Sequence, residues 1–212
     1  GVEDYIDIQT ELGRDVSQFR GQPFVDWQEA VFKDGPMQNH NVTISGGNQT
    51  ANYLVSGGYP SQEGIERGQD FQRYSVKVNS DIKVGERLRF GESVLVSFRD
   101  RLTQSEGGGL LAAFNAAQNA PYFKIFGDGP FGYNLENPDT RGDGLGSNRV
   151  FRTDTRVNRT TILNRKILGN VYGELEIFEG LKFNMTYGID YNQGAGDFFQ
   201  RGTIAPGAGS RR

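Results

Sequence analysis

Apolar and polar residues alternate with a period of two along much of this chain. From Phe71 to Val84 the even positions read Tyr74, Val76, Val78, Ser80, Ile82 and Val84, while the odd positions read Arg73, Ser75, Lys77, Asn79, Asp81 and Lys83. Side chains of a β-strand point alternately to its two faces, so this segment predicts a strand with one apolar and one charged face. Its length exceeds the ~5–6 residues of a typical strand in a soluble protein and suits the ~9–11 needed to cross a bilayer. The pattern recurs from Arg87 to Arg101, with Leu88, Phe90, Val94, Val96 and Phe98 on one face, and from Leu181 to Asn192, where the alternation is strict. Thr161 to Phe178 carries it as well, and weaker strands are expected around Asn39 to Gly46 and Ala51 to Tyr59.

The connections alternate too. Gly47-Asn48-Gln49-Thr50, Gly85-Glu86-Arg87 and Phe178-Glu179-Gly180 read as tight turns. Between them lie a medium loop, Pro60 to Asp70, and a long one, about 102–160. A structureless loop of that length argues against a compact soluble domain. Short turns at one end and long loops at the other are the plan of an outer-membrane barrel, with periplasmic turns and extracellular loops.

The turns also predict register. Pairing Val84 with Leu88 sets Ile82 beside Phe90, Val78 beside Val94, Val76 beside Val96 and Tyr74 beside Phe98. It sets Ser80 opposite Glu92, the two polar exceptions on their apolar faces, where the hydroxyl can partly satisfy the carboxylate. Around the last tight turn the same exercise pairs Ile177 with Leu181 and Leu175 with Phe183, with Glu176 beside Lys182.

Composition narrows the chemistry. A net charge of -3 gives no basic footprint for nucleic acid, and a single histidine, His40, with no cysteine excludes a multi-histidine or thiolate metal centre. Thirty glycines, 15 Phe and 9 Tyr fit β-structure rich in turns. Mean hydropathy is negative and no apolar run is long enough for a membrane helix, but barrel strands average out in the same way. No Ser/His/Asp set, phosphate loop or convergent carboxylate pair is present, so no enzyme and no cofactor is expected. About six strands cannot close a barrel, whose smallest members need about eight. The chain also opens at Gly1 with no signal peptide, and it is expected to be an excerpt of a longer protein.

Several strings, in order, resemble the SusC/RagA family of TonB-linked outer-membrane transporters. Asp26-Trp27-Gln28 with Phe32 leads into Gln38-Asn39-His40-Asn41-Val42-Thr43-Ile44-Ser45-Gly46-Gly47. Gly58-Tyr59 with Gln62-Glu63-Gly64-Ile65, Phe71-Gln72-Arg73-Tyr74-Ser75, Leu168-Gly169-Asn170-Val171-Tyr172 and Gly180-Leu181-Lys182-Phe183 follow. The likeness runs from about Asp26 to Tyr191. It implies an all-β fold: an antiparallel transmembrane β-barrel segment, six strands or so of a barrel of about 22 with a lumen plug. It implies a SusD-like surface lipoprotein as partner, coupling to the TonB complex through segments outside this chain, and contact with outer-membrane lipid. Residues 1–36 are then a first extracellular loop with a short helix over Asp26 to Phe32, and 37–192 are barrel strands with the long loop at about 102–160. Residues 193–212 begin a further loop, and the plug and TonB box lie outside the chain.

The candidate contacts with substrate or with the lid protein are aromatic: Trp27 in the first loop and Tyr122, Phe123, Phe126, Phe131 and Tyr133 in the long one. Aromatic faces stack on sugar rings and pack on peptides, while the simpler reading is that they pin the loops together, as it is for Trp27 with Val31 and Phe32. Arg73, Lys77, Asp81, Lys83, Arg99 and Asp190 are expected to face the lumen. His40, at a strand end without a second histidine, reads as structural. Asp139-Thr140-Arg141-Gly142-Asp143-Gly144 lacks EF-hand spacing and reads as a turn. The expected function is import of an oligomeric nutrient, glycan or peptide, across a bacterial outer membrane. The alternatives are a passive porin or adhesin barrel, and a soluble glycan-binding β-sandwich.

Overall fold

In a computed structural model the chain forms one antiparallel sheet with a lobe of loops at one end. The structure describes residues 1–103, 119–135 and 148–201. The strands are β1 (Met37–Gly47), β2 (Ala51–Glu63), β3 (Asp70–Val84), β4 (Leu88–Thr103), β5 (Asn158–Phe178) and β6 (Leu181–Gln200). Each pairs with its sequence neighbour, in the order β1-β2-β3-β4-β5-β6, and the sheet is open, with β1 and β6 at its edges.

Turn chemistry explains the tight end. After β1 the Asn48 side chain accepts from the backbone N–H of Thr50 and of Ala51, both at 2.8 Å, an Asx arrangement that reverses the chain in three residues. The β3–β4 turn uses Gly85 at φ 64° and the β5–β6 turn Gly180 at φ 88°, conformations that disfavour any residue with a Cβ.

The β3–β4 register is the one the turns predict, from Val84 opposite Leu88 to Tyr74 opposite Phe98, with Ser80 opposite Glu92. Around Gly180 the ladder differs by one residue at its start. Phe178, not Ile177, faces Leu181, because a two-residue turn leaves Ile177 as a bulge before Glu176 meets Lys182 and Leu175 meets Phe183.

Two boundaries also move, and one helix is added. Strand β2 runs through Pro60 to Glu63, so the β2–β3 connection shortens to 64–69. Proline has no N–H, and the β2–β3 ladder has a gap between the Gly58–Ser75 and Ser61–Gln72 pairs. Strand β6 runs to Gln200, so 193–200 belongs to the wall and not to a further loop. Backbone hydrogen bonds to Asn158–Arg165 carry that extension where Gly194, Ala195 and Gly196 show no alternation. The first segment holds two α-helices, α1 (Val2–Glu11) as well as the expected α2 (Trp27–Val31).

The lobe has a small core of its own, built from the first segment and the long β4–β5 connection. Val2, Ile6 and Val16 pack with Ala120 and Tyr122; Trp27 and Val31 pack with Phe123 and Val150. Asp26 caps α2, accepting from the N–H of Gln28 at 2.9 Å and of Glu29 at 3.0 Å, so the helix starts at Trp27. Trp27 Nε1 donates to the Ala120 carbonyl at 3.2 Å, and the Val25 N–H donates to Pro121 at 2.7 Å. A third helix, α3 (Arg149–Thr153), is capped by Asn148, which is almost wholly buried. Its Nδ2 donates to the carbonyls of Ile125 at 2.6 Å and Asn134 at 2.8 Å, while its Oδ1 accepts from the Phe151 N–H at 3.1 Å. One side chain thus ties three backbone segments together.

Candidate functional site

The apolar face, outward in the barrel reading, is a band of definite height. Its first row holds Val84, Leu88, Leu175 and Phe183, and its last holds His40, Tyr59, Tyr74 and Phe98. From Leu88 to Phe98 the chain advances ten residues, or ~33 Å at ~3.3 Å per residue, and a strand tilt of ~40° turns this into ~25 Å. That is the height of the apolar belt on an outer-membrane barrel. Aromatic side chains mark the upper edge: Tyr59 stacks on Tyr74 at 4.8 Å between ring centres, and His40 lies against Tyr59 at 6.5 Å. Tyr74, Val76, Phe98, Ile189 and Tyr187 are about half exposed or more, which a soluble sheet of this size would not tolerate on one contiguous face. Beyond the edge the same face turns polar, with Gln38, Ser61, Gln72 and Asp100.

Inside the band, Ser80 Oγ donates to Glu92 Oε2 at 2.5 Å. Beside Glu92 lies a shallow cavity of about 310 Å³ over Gly173, bordered by Phe90, Met185 and Tyr187.

The opposite face is polar and hydrogen-bonded across strands. Asp81 is its hub near the turn end, where Arg89 Nε donates to both carboxylate oxygens at 2.9 and 3.0 Å and the Tyr172 hydroxyl donates to Oδ2. Asp81, Gly91 and Tyr172 share one row, so the tyrosine must cross Gly91 to reach its acceptor. A Cβ on Gly91 would lie 2.8 Å from Tyr172 Cε1. Lys182 Nζ donates to Glu174 Oε1 at 2.9 Å, one strand further on. Of the other charged residues expected on this face, Lys83 lies opposite Arg89, and Arg73 opposite Arg99, whose Nη2 donates to Asn164 at 2.7 Å. Lys77 lies opposite Leu95, and Asp190 is 3.6 Å from Lys166. All six share the polar face, but only Asp81 is a hub. The sequence sets Lys182 beside Glu176, as the register confirms, but its hydrogen bond goes to Glu174; Arg89 and Tyr172 are not singled out there, although a glycine between a carboxylate and a tyrosine becomes a signal once register is known.

The aromatic loop residues divide in two. Trp27 and Phe123, each 3% exposed, and Tyr122, 4% exposed, form the lobe core and present no free face. Phe123 stacks on Trp27 at 5.5 Å and Tyr122 on Phe19 at 4.2 Å. Phe126, 66% exposed, stands at the surface and stacks at 5.5 Å on Tyr133, which is half-buried against the second part of the lobe core. They border a cavity of about 450 Å³ whose base is Ala30, Ile125 and Val150 and whose polar rim is Lys33, Arg67, Thr153 and Asp154. The rim charges are engaged. Lys33 pairs with Glu63 at 2.6 Å, Arg67 Nε donates to the Ala30 carbonyl at 2.8 Å, and Asp154 takes both its oxygens to Arg156.

The Arg156 hydrogen bond holds the Asp154 carboxyl below the usual carboxylate range, against the opposing effect of burial. Burial first, then the Asp154 charge, pushes the Tyr133 phenol up, and its hydroxyl donates to Asp154 at 3.2 Å. Glu66, in the β2–β3 loop, is buried; among the described residues Oε1 has no partner and Gln69 donates to Oε2, and burial raises its carboxyl. Phe131 adopts φ 60° and contacts Arg156 and Arg201. Among the described residues no group of three or more His, Asp or Glu side chains converges on a metal-sized site. The segment Asp139 to Gly144 lies outside the described residues.

No family model matches the sequence. The chain is 26% identical over 199 residues to TonB-dependent receptor P3 of Formosa agariphila, covering 90% of this chain and 19% of that protein. It is 36% identical over 59 residues to the TonB-dependent receptor SusC of Bacteroides thetaiotaomicron, covering 28% of this chain and 6% of that one. The fold matches the RagAB peptide importer in its closed-closed state with a TM-score of 0.65 and 21% identity, over 82% of this chain and 19% of that chain. The chain therefore spans about a fifth or less of the length of these relatives. The likeness to SusC/RagA-type TonB-dependent transporters read from the motifs stands, and the sheet is an open arc of such a barrel. The relatives are TonB-dependent receptors, and the structural neighbour is a peptide importer.

Proposed function

We propose that this chain is wall and outer loop of a TonB-driven importer of oligomeric nutrients, working with a SusD-like surface lipoprotein over its mouth. The observation that carries the reading is the apolar band of ~25 Å on one face only, backed by a charged, hydrogen-bonded face that suits a water-filled lumen. The turn end is periplasmic and the lobe extracellular. The polar face, with Arg73, Lys77, Asp81, Lys83, Arg99 and Asp190, lines the passage and meets a plug contributed from outside this chain.

Substrate reaches the lobe first. The exposed Phe126 stacked on the half-buried Tyr133, beside a 450 Å³ cavity whose rim charges have internal partners, gives an aromatic platform for an oligosaccharide or peptide segment. Phe131 supports its edge, while Trp27, Tyr122 and Phe123 act by holding the platform and not by contact. Binding and gating are the whole mechanism; no bond chemistry is assigned to any residue.

The experiment is uptake by a strain whose only copy of the full-length gene carries Phe126→Ala with Tyr133→Ala, grown on the polymer that the wild-type gene makes usable. A rise in the half-saturating polymer concentration with normal surface abundance is expected. Unchanged uptake would remove the platform from the passage. Diffusive uptake that persists without TonB would favour the porin reading.

A further inference from the structure

Among the described residues, Arg159 and Arg201 stand without carboxylate partners on the outward face at the lobe end of β5 and β6, and Arg165 stands lower on the same face. Continuing the outward column of β5 upward from Arg165, which shares the edge row of the apolar band with Phe98, leads to Arg159. Arg159 faces Phe199 across the ladder, its guanidinium 5.2 Å from the ring centre. Arg201 lies on the same face one step further, its backbone N–H donating to Val157 at 2.8 Å. Its guanidinium sits 4.9 Å from the centre of Phe131, and Arg156 sits 5.0 Å from the same ring. Two guanidiniums thus flank one phenylalanine that holds a left-handed backbone, a conformation rare for a residue with a Cβ.

Charge accounting leaves an excess of cation. Asp154 neutralises Arg156. Asp197, two residues before Phe199 on the outward face, forms no ion pair with Arg159 among the described residues. Arg159, Arg165 and Arg201 are all exposed. Like charges repel when gathered, so such a patch is easier to understand with an anion over it.

Height identifies the anion. Arg159 is six residues beyond Arg165, ~20 Å along the strand and, at a strand tilt of ~40°, ~15 Å above the band. A phospholipid headgroup layer reaches only about 5–8 Å beyond the acyl region. The membrane component that carries phosphates to that height is a glycolipid whose phosphorylated sugars extend outward from its acyl chains.

We infer that Arg159 and Arg201, with Arg165 below them, bind the phosphorylated sugar headgroup of outer-leaflet lipopolysaccharide and so seat this side of the barrel in the membrane. The aromatic rings fix the guanidiniums beforehand, and guanidinium is the side chain best matched to phosphate oxygens. This rests on the outward face being the lipid face, which is tested separately. In the full-length protein, Val76→Cys should make the chain reactive to a lipid-soluble maleimide and Lys77→Cys to a water-soluble one; the reverse would remove the premise.

The test uses the purified full-length protein in detergent with purified lipopolysaccharide, the same material after enzymatic dephosphorylation, and inorganic phosphate as competitor. Each arginine is expected to contribute about fivefold in affinity, so Arg159→Gln with Arg201→Gln should weaken lipopolysaccharide binding roughly 25-fold. Dephosphorylation should weaken wild-type binding similarly, and both losses should shrink at high salt. Barrel integrity is checked by heat-modifiable migration on gels. Unchanged affinity in a heat-modifiable variant, or equal affinity for the dephosphorylated lipid, would overturn the assignment. Displacement by millimolar inorganic phosphate would assign the patch to free phosphate instead and overturn the glycolipid site.

Discussion

Ser80→Ala is a small deletion with a large expected effect because of where its partner sits. Glu92 lies four residues into β4 from Leu88, in the third row of the band, ~13 Å along the strand and ~10 Å above its lower edge. In a band ~25 Å high this is close to the midplane, where an ionisable side chain is most costly. The hydroxyl of Ser80, 2.5 Å away, is the donor that Glu92 has across the strand. A hydrogen bond to a charged group contributes about 1.5–3 kcal/mol, more than the ~1 kcal/mol of a neutral one.

Ser80→Ala should therefore destabilise the barrel by about 1.5–3 kcal/mol, while Glu92→Leu should stabilise it by ~1–2 kcal/mol by removing a polar group from hydrocarbon. Once Glu92 is Leu, Ser80→Ala should cost less than about 0.5 kcal/mol, giving a coupling above ~1 kcal/mol in the double-mutant cycle. The assay is reversible urea unfolding of the full-length protein in lipid vesicles, followed by fluorescence, for wild type, the two single variants and the double. Additive effects, or a destabilising Glu92→Leu, would refute the placement of this pair at the middle of the membrane.

The other expectations come from the polar face and the lobe. Gly91→Val should drive Tyr172 off Asp81 and cost about 1–3 kcal/mol by overpacking, read as a lower urea midpoint of the full-length barrel. Asn148→Ala removes the clamp on Ile125 and Asn134 and leaves carbonyls unpaired, so limited proteolysis should cut the lobe faster while the barrel stays heat-modifiable. Glu66 has its folded-state carboxyl raised by burial, so its neutral form favours the folded lobe. That contribution is complete below the ordinary carboxylate value and is lost as pH rises through the raised one. Glu66→Gln should then remove the corresponding slope in lobe protease resistance. Asp154 runs the other way: its lowered carboxyl stabilises the lobe above the ordinary value, and that stability falls as pH drops through the lowered one. Asp154→Asn should flatten the acid limb of the same protease profile.

Strand faces, turn positions and the β3–β4 register were legible in the sequence because each depends on local rules. A period of two assigns a face to every residue, and a tight turn of known length then fixes which residues meet. That is why Ser80 and Glu92 could be matched without coordinates. The same rules fail where they lose their signal. A bulge at Ile177 costs the sequence nothing visible, and β6 crosses the glycines at 194 and 196 because β5 offers it backbone partners.

The lobe shows what only the tertiary structure decides. Phe123 and Phe126 stand three residues apart in one aromatic stretch, yet the first is buried on Trp27 and the second exposed above the cavity. Nothing local separates them. The difference comes from a residue far away in sequence, since Trp27 reaches the 119–135 segment through Ala120, 93 positions on. Contacts between such distant segments follow from which apolar surfaces meet when the two loops fold over the wall, and no periodicity records that meeting. The two strand faces and the register were thus written in the alternation of the strands, whereas which loop aromatics are buried and which exposed was settled by long-range packing of loops.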